Sequence, residues 1–265
     1  MSWVGVDGID IHYVEAGEGQ PLVFLHGNSS CGEAWFQQFE AFRGRFRCIA
    51  YDSVNHGHSA NSPRDADEPD RADELEGFLA ALGIRRPVLA GNSMGGNTAL
   101  RWATRHPGDA AGLIISGSGV RSASESMPAT PKPLDPERLY IPFGDSFTPQ
   151  FKTQQPDMYA RYYRIRSTAT RIEALRHPRK PSAKTVAERG GMVEAVKRIT
   201  SPMQIITGDL DTALEAAKGL HAARPDARYA QMPGAPHNAY WEMRKEWNAV
   251  ASAFLDSVMA GVPTR

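Results

Sequence analysis

Cysteine is nearly absent, with Cys31 and Cys48 the two in 265 residues. Two thiols are too few for a disulfide framework, and no zinc-ligand spacing involves them. Cys48 falls in an apolar, strand-like run, where a buried reduced thiol is expected. Net charge is absent too: 30 Lys plus Arg balance 30 Asp plus Glu. Without a basic field, neither nucleic acid nor a membrane surface is an expected partner. The longest apolar runs are only a few residues, so no membrane span is predicted, and Met1 to Val14 lacks a basic region followed by an apolar one. The expected location is the cytoplasm. No phosphate loop, dinucleotide fingerprint or metal-ligand cluster occurs, so no cofactor and no metal are expected. His56 and His58 sit two apart, but no cluster of carboxylates or cysteines accompanies them, and a turn role is expected instead.

What is present is a chain with 41% apolar residues, long enough to bury a sizeable core. Residues Ile9 to Ala16, Leu22 to Leu25, Phe46 to Tyr51, Pro87 to Ala90, Gly112 to Ser116 and Met203 to Thr207 read as strands. Helical periodicities separate most of them, which predicts an α/β protein with a parallel sheet and crossover helices. The clearest helix carries Leu75, Phe78, Leu79 and Leu82 on one face, after Pro69 and before Gly83. Trp247, Val250, Ala251, Phe254, Leu255 and Val258 form a second stripe, expected to pack on the sheet. Between Arg121 and Thr200 the alternation breaks: Pro128, Pro131, Pro133, Pro136, Pro142 and Pro149 crowd one stretch, as in an insertion. That stretch has 15 Lys plus Arg and 8 Asp plus Glu, net +7, while the remainder has 15 and 22, net −7.

Chemistry concentrates at Gly91-Asn92-Ser93-Met94-Gly95, a G-x-S-x-G spacing directly after an apolar strand and before a helical stretch. A sharp strand-to-helix turn of this kind strains its central residue, requires small neighbours and exposes the serine hydroxyl beside the free N–H groups of a helix N-terminus. An unassisted hydroxyl is hardly ionised at neutral pH, so Ser93 needs a base, and an imidazole base needs a carboxylate to fix its tautomer.

Leu25-His26-Gly27-Asn28, Asn92-Ser93-Met94, Gly208-Asp209-Leu210-Asp211 and Gly234-Ala235-Pro236-His237 occur in an order that resembles the α/β-hydrolase superfamily. The resemblance implies a mostly parallel eight-stranded sheet flanked by helices, with a helical cap inserted after strand 6. The core domain would comprise residues 1–120 and 201–265, and the cap 121–200. It further implies a triad of Ser93, Asp211 and His237, with the backbone amides of Asn28 and Met94 as the oxyanion hole. Asp209 and Asp211 both follow a strand and alternation points them the same way; the resemblance favours Asp211, leaving Asp209 to a turn or to capping a helix from Thr212 to Ala223. The Asn28 side chain has two open roles, toward the substrate or bracing its loop. His26 is expected to support that loop, and His12, His106, His177 and His221 to be structural. Asp52 to Ser59 is similar to the family's D-x-x-G-x-G-x-S loop with Asn55 in place of the first glycine, a residue that tolerates a left-handed turn.

Serine at position 93 distinguishes the chain from haloalkane dehalogenases and epoxide hydrolases, which resemble this fold but use an aspartate. The elbow is similar to that of meta-cleavage-product hydrolases, which split carbon–carbon bonds, although they tend to carry tryptophan after the histidine where this chain has Asn238. The expected reaction is hydrolysis of a carboxylic ester, lactone or thioester of a small molecule. Carbon–carbon hydrolysis is the alternative, then acyl transfer; the non-enzyme alternative is an inactive hydrolase fold serving as a receptor. Asn92, Met158 and Tyr162 are candidate substrate contacts, with Tyr159, Tyr163 and Ile165 as pocket or cap-core candidates. The net +7 of the insertion points to either docking on the acidic body or selection of an anionic substrate. The oligomeric state is left open.

Overall fold

The computed structural model describes residues 2–63, 66–121, 146–169 and 181–261. Eight strands form one sheet: β1 (Ser2–Val6), β2 (Ile9–Ala16), β3 (Pro21–Leu25), β4 (Arg47–Tyr51), β5 (Val88–Asn92), β6 (Gly112–Ser116), β7 (Met203–Gly208) and β8 (Arg228–Met232). Their order is β1-β2-β4-β3-β5-β6-β7-β8. β1 and β2 pair antiparallel, as do β2 and β4, and all remaining neighbours are parallel.

The unbroken apolar character of the central strands follows from burial on both faces. Val23, Leu25, Ile49, Leu89, Leu113, Ile115 and Ile205 enter one core cluster. Their immediate neighbours Leu22, Phe24, Cys48, Ala50, Val88, Ile114 and Ile206 enter the other. The two-residue period is therefore present although every position is buried. Helices α2 (Arg71–Ala81), α3 (Met94–Arg105) and α8 (Leu214–Ala223) cover the first face with Leu75, Phe78, Leu100 and Leu220. The predicted stripe of α10 (Arg244–Ala260), which follows the short α9 (Ala239–Glu242), covers the second, where Trp247, Phe254 and Leu255 join Phe42 from α1 (Phe36–Phe42). α2 begins at Asp70, whose side chain accepts from the Ala72 and Asp73 amides, and Gly83, at φ +62°, stands just beyond its end.

β1 is not among the strands that apolar runs predict, and the physical reason is plain: it is an edge strand with only Val6 buried and Trp3 54% exposed. β5 continues two residues past the expected end, so it delivers Asn92 directly to the turn.

The segment between β6 and β7 contains α4 (Phe151–Gln154), α5 (Pro156–Ala169), α6 (Ala183–Arg189) and α7 (Met192–Val196) among the described residues. Phe151, Tyr162, Ile165 and Ala169 bury against the second core cluster. Arg161 stacks over Phe36 at 3.5 Å. α6 is held against α2 and α3 by Glu188, which pairs with Arg101 and Arg105; both arginines also reach Asp70. Val196 and Ile199 join the first core cluster. Pro128, Pro131, Pro133, Pro136, Pro142 and His177 lie outside the described residues. Among the described residues no helix is long and apolar enough to cross a membrane.

Candidate active site

Ser93 sits between β5 and α3 with φ 55° and ψ −113°, a left-handed conformation for a residue that bears a Cβ. Such backbone costs about 1–3 kcal/mol and persists only where its surroundings enforce it. Here the Ser93 amide donates to the Ser116 carbonyl at the end of β6, at 2.9 Å. Glycines make the turn sterically possible. A Cβ on Gly91 would collide with the Gly95 backbone, and one on Gly95 would collide with the Leu25 carbonyl. Met94 follows as the first residue of α3, so its amide has no acceptor within the helix.

His237 lies in the loop after β8. Its Nδ1 is 2.7 Å from Asp211 Oδ1. The same oxygen accepts from the Ala213 amide at 2.8 Å, and Asp211 Oδ2 accepts from Thr207 Oγ1 at 3.4 Å. A carboxylate only accepts, so the ring proton belongs on Nδ1 and Nε2 is left as the basic nitrogen. Asp209 is exposed in the turn, where its backbone amide donates to the Met232 carbonyl. The expectation that both aspartates point the same way is corrected: β7 ends at Gly208, so strand alternation does not extend to either. Asp209 does not cap the following helix either: α8 starts at Leu214, later than expected, with Ala213 at its N-cap and no side-chain cap, and the local bond to the Ala213 amide comes from Asp211.

Ser93 and His237 line one cavity of about 430 Å³ with Gly27, Asn28, Ser29, Ser30, Asn92, Ser146, Tyr162, Arg166, Thr212, Asn238 and Tyr240. Of the expected contacts, Asn92 and Tyr162 are in this lining. Met158 is not: it packs with the aromatic residues of the second core cluster, and its carbonyl accepts from Trp241 Nε1 at 3.2 Å. Met94 is half-buried beside Ser93 and is likewise not in the lining. The Asn28 side chain braces its loop, accepting from the Ser29 amide at 3.0 Å and lying 3.4 Å from His56 Nε2.

The surrounding histidines have structural partners. His26 Nε2 accepts from the Ser53 amide at 3.0 Å, so its proton is on Nδ1, 2.7 Å from the Gly27 carbonyl. Burial holds its pKa below the ordinary value. His12 pairs with Asp52 at 2.9 Å, and Asp52 also accepts from the Gly32 and His58 amides, each at 2.8 Å. Asn55 takes φ 69°, the left-handed turn its amide side chain tolerates. Among the described residues no three His, Cys, Asp or Glu gather as a metal site.

Several lining residues escape sequence reasoning. Arg166 follows Tyr162 by one helical turn on α5, and that i, i+4 spacing is the available signal. Burial raises the Tyr162 phenol above its ordinary value, against the opposing influence of Arg166 and the Asn238 bond. Asn238 donates from Nδ2 to Tyr162 Oη at 2.9 Å. Gly117, at φ +55°, backs the site: a Cβ there would stand 2.9 Å from Asn92 Oδ1 and 3.2 Å from the His237 ring.

The sequence profile described as "Alpha/beta hydrolase family" matches residues 22–250. A 2-hydroxy-6-oxo-6-phenylhexa-2,4-dienoate hydrolase of Comamonas testosteroni is 28% identical, over 92% of this chain and 91% of its own length. A non-heme chloroperoxidase of Kitasatospora aureofaciens is 39% identical, over 38% of this chain and 37% of its own length. Est816, described as an N-acyl homoserine lactone degrading enzyme, has the same fold, with a TM-score of 0.76 at 24% identity, covering 96% of this chain and 100% of Est816. The eight-stranded sheet and the match over most of the chain agree: this protein belongs to the α/β hydrolase family and is an enzyme of that family.

Proposed function

We propose that the protein is a serine hydrolase that cleaves a carboxylic ester, lactone or thioester of a small molecule through an acyl-enzyme. The observation that carries this reading is the 2.7 Å bond from His237 to buried Asp211 at the cavity into which the strained Ser93 turn opens. In the proposed reaction Ser93 Oγ attacks the carbonyl carbon while His237 Nε2 takes its proton. Asp211 holds the resulting imidazolium. The tetrahedral oxyanion is received by the amides of Met94 and Asn28, and each such donor is worth roughly 10²–10³ in kcat. His237 then protonates the departing alcohol or thiol, and water repeats the sequence to release the acid. A fluorophosphonate should label Ser93, as read by peptide mass, and Ser93→Ala should abolish both labelling and ester turnover. Retained turnover in purified Ser93→Ala would refute the mechanism.

Residues 121–200 are proposed as the cap, with α5 walling the cavity. Arg166, which lines the cavity one helical turn from Tyr162, supports a carboxylate-bearing substrate. An acidic ester should then be cleaved with higher kcat/KM than its neutral analogue, and Arg166→Met should remove that preference; equal values for both esters in the unaltered protein would refute the selection. Carbon–carbon hydrolysis is a second reading. It is supported by the near full-length relationship to the Comamonas dienoate hydrolase, whose substrate is a carboxylate. Parallel assays on a keto-dienoate and an ester of matched charge separate the two.

A further inference from the structure

Asn238 is 4% exposed and makes five hydrogen bonds among the described residues. Its amide donates to the Ser146 carbonyl at 3.0 Å, and its carbonyl accepts from the Trp241 and Glu242 amides at 2.9 and 3.1 Å. Its side chain donates to Tyr162 Oη at 2.9 Å and accepts, through Oδ1, from Asn92 Nδ2 at 3.3 Å. Asn92 immediately precedes Ser93, and Asn238 immediately follows His237. Asn92 ends β5, His237 follows β8, and β6 and β7 lie between them in the sheet, so no strand pairing sets one directly against the other. The side-chain bond between the two asparagines spans that gap. The other amide atom of Asn92, Oδ1, is buried without a partner among the described residues, which leaves the bond to Asn238 as the side chain's polar anchor there.

We infer that Asn238 is a positioning residue: its carboxamide links the neighbour of the nucleophile to the neighbour of the base and, through Tyr162, ties both to α5. This inference rests on the proposed roles of Ser93 and His237. The linkage carries no charge and donates nothing to the reacting atoms, so its effect is on alignment, to which attack geometry is sensitive at the scale of about 1 Å.

The test uses the full chain, a p-nitrophenyl ester as substrate and a fluorophosphonate as label. Asn238→Leu keeps comparable bulk and removes both side-chain bonds; kcat should fall about 10- to 100-fold while KM changes by less than about threefold. Asn92→Ala combined with Asn238→Leu should lose little more than either alone, because the two groups form one link. Asn238→Asp can accept from both Asn92 Nδ2 and the Tyr162 hydroxyl, so kcat should be largely retained. Its carboxylate beside His237 favours the protonated ring, so the acid limb of kcat/KM should move to higher pH. A change due only to structural damage would not give that shift. Tyr162→Phe removes a single oxygen and should give a smaller loss, again in kcat. If Asn238→Leu does not fold, Asn238→Asp and Tyr162→Phe still decide the matter. Additive losses at 92 and 238, or an unmoved acid limb in Asn238→Asp, would overturn the inference while wild-type labelling of Ser93 left the hydrolase reading standing. Failure of the label to reach Ser93 in the wild type would overturn both.

Discussion

Replacing Asp211 with asparagine separates two contributions of a carboxylate to a serine–histidine pair: fixing the imidazole tautomer and stabilising its positive charge. In the Ser-His-Asp template this substitution costs about 10⁴ in kcat, because the amide NH2 faces the ring and reverses the tautomer. The surroundings of Asp211 oppose that reversal. Its Oδ1 accepts both from His237 at 2.7 Å and from the Ala213 amide at 2.8 Å. A backbone N–H cannot accept, so an NH2 at this position would set donor against donor. In Asp211→Asn the amide oxygen should therefore take the place of the carboxylate Oδ1, with the NH2 directed at Thr207 Oγ1, a hydroxyl able to accept. The tautomer then survives and only the charge is lost. A unit charge pair at about 4 Å in an effective dielectric of about 20 is worth about 4 kcal/mol. A carbonyl dipole keeps roughly a third of that, so the loss is about 2–3 kcal/mol, or about 30- to 160-fold in kcat.

Steady-state kinetics on an activated ester measure this directly. Asp211→Ala, which loses orientation as well as charge, should fall by about 10³–10⁴. Asp209→Asn should match the wild type, since that residue is exposed in the turn. The acid limb of kcat/KM in Asp211→Asn should move to lower pH, as removal of an anion disfavours the protonated imidazole. Equal losses in Asp211→Asn and Asp211→Ala would refute the argument that Ala213 dictates the amide orientation, and a loss confined to Asp209→Asn would transfer the acid role.

Burial pushes both the Cys31 and Cys48 thiols up to about 12, so neither should react with a disulfide reagent at about pH 8 until the protein unfolds, when two thiols should titrate; rapid native reaction would contradict their placement. Burial alone would raise the Asp70 carboxyl, but its bonds to Arg101, the Asp73 amide and Thr185 outweigh this and hold it below the usual carboxylate range. Its contribution is therefore present above about pH 4 and is lost as pH falls toward the depressed value. Asp70→Asn, which keeps the helix cap, should lower Tm at about pH 7 and flatten its decline in acid, and an unchanged Tm at that pH would argue against the cluster. Gly95→Ala drives a Cβ into the Leu25 carbonyl and should cost about 3 kcal/mol or more, seen in a thermal melt; a Tm within about 2 °C of the wild type would show that the elbow can yield.

Apart from β2, the strands that sequence reasoning locates are those whose residues are nearly all buried, because a continuous apolar run is itself the signal. β1 gives no such run, being an edge with Trp3 turned outward. Ser93 is legible because its strained turn demands small neighbours within a few residues, so local chemistry is written locally. The choice between Asp209 and Asp211 is not legible from alternation, since a strand's period stops with the strand and β7 ends at Gly208. Arg166 is obscured because α5 carries arginines at positions 161, 164 and 166, and its sequence does not single out the one that reaches the cavity. Asn238 stands out in the sequence only as a departure from a tryptophan. Its bond to Asn92 connects positions 146 residues apart, a separation that no window of sequence can span.

The origin of the lining residues divides the work of the site. Gly27 and Asn28 follow β3, Asn92 ends β5 and Ser93 follows it, Thr212 follows β7, and His237, Asn238 and Tyr240 follow β8. All stand at the carboxyl ends of parallel strands, where the crevice of an open α/β sheet gathers loops from several strands. Ser146, Tyr162 and Arg166 come instead from the segment between β6 and β7, and among these Arg166 brings the fixed positive charge. The groups proposed for bond cleavage are thus anchored in the sheet, while the cation proposed to recognise substrate is carried on a helix packed against it. Asn238 belongs to the first set by chain position and to the second by its bond to Tyr162. Substitution at 166 should consequently change which substrate is preferred with kcat on a neutral ester little altered, whereas Asn238→Leu, which removes both side-chain bonds, should lower kcat on acidic and neutral esters alike.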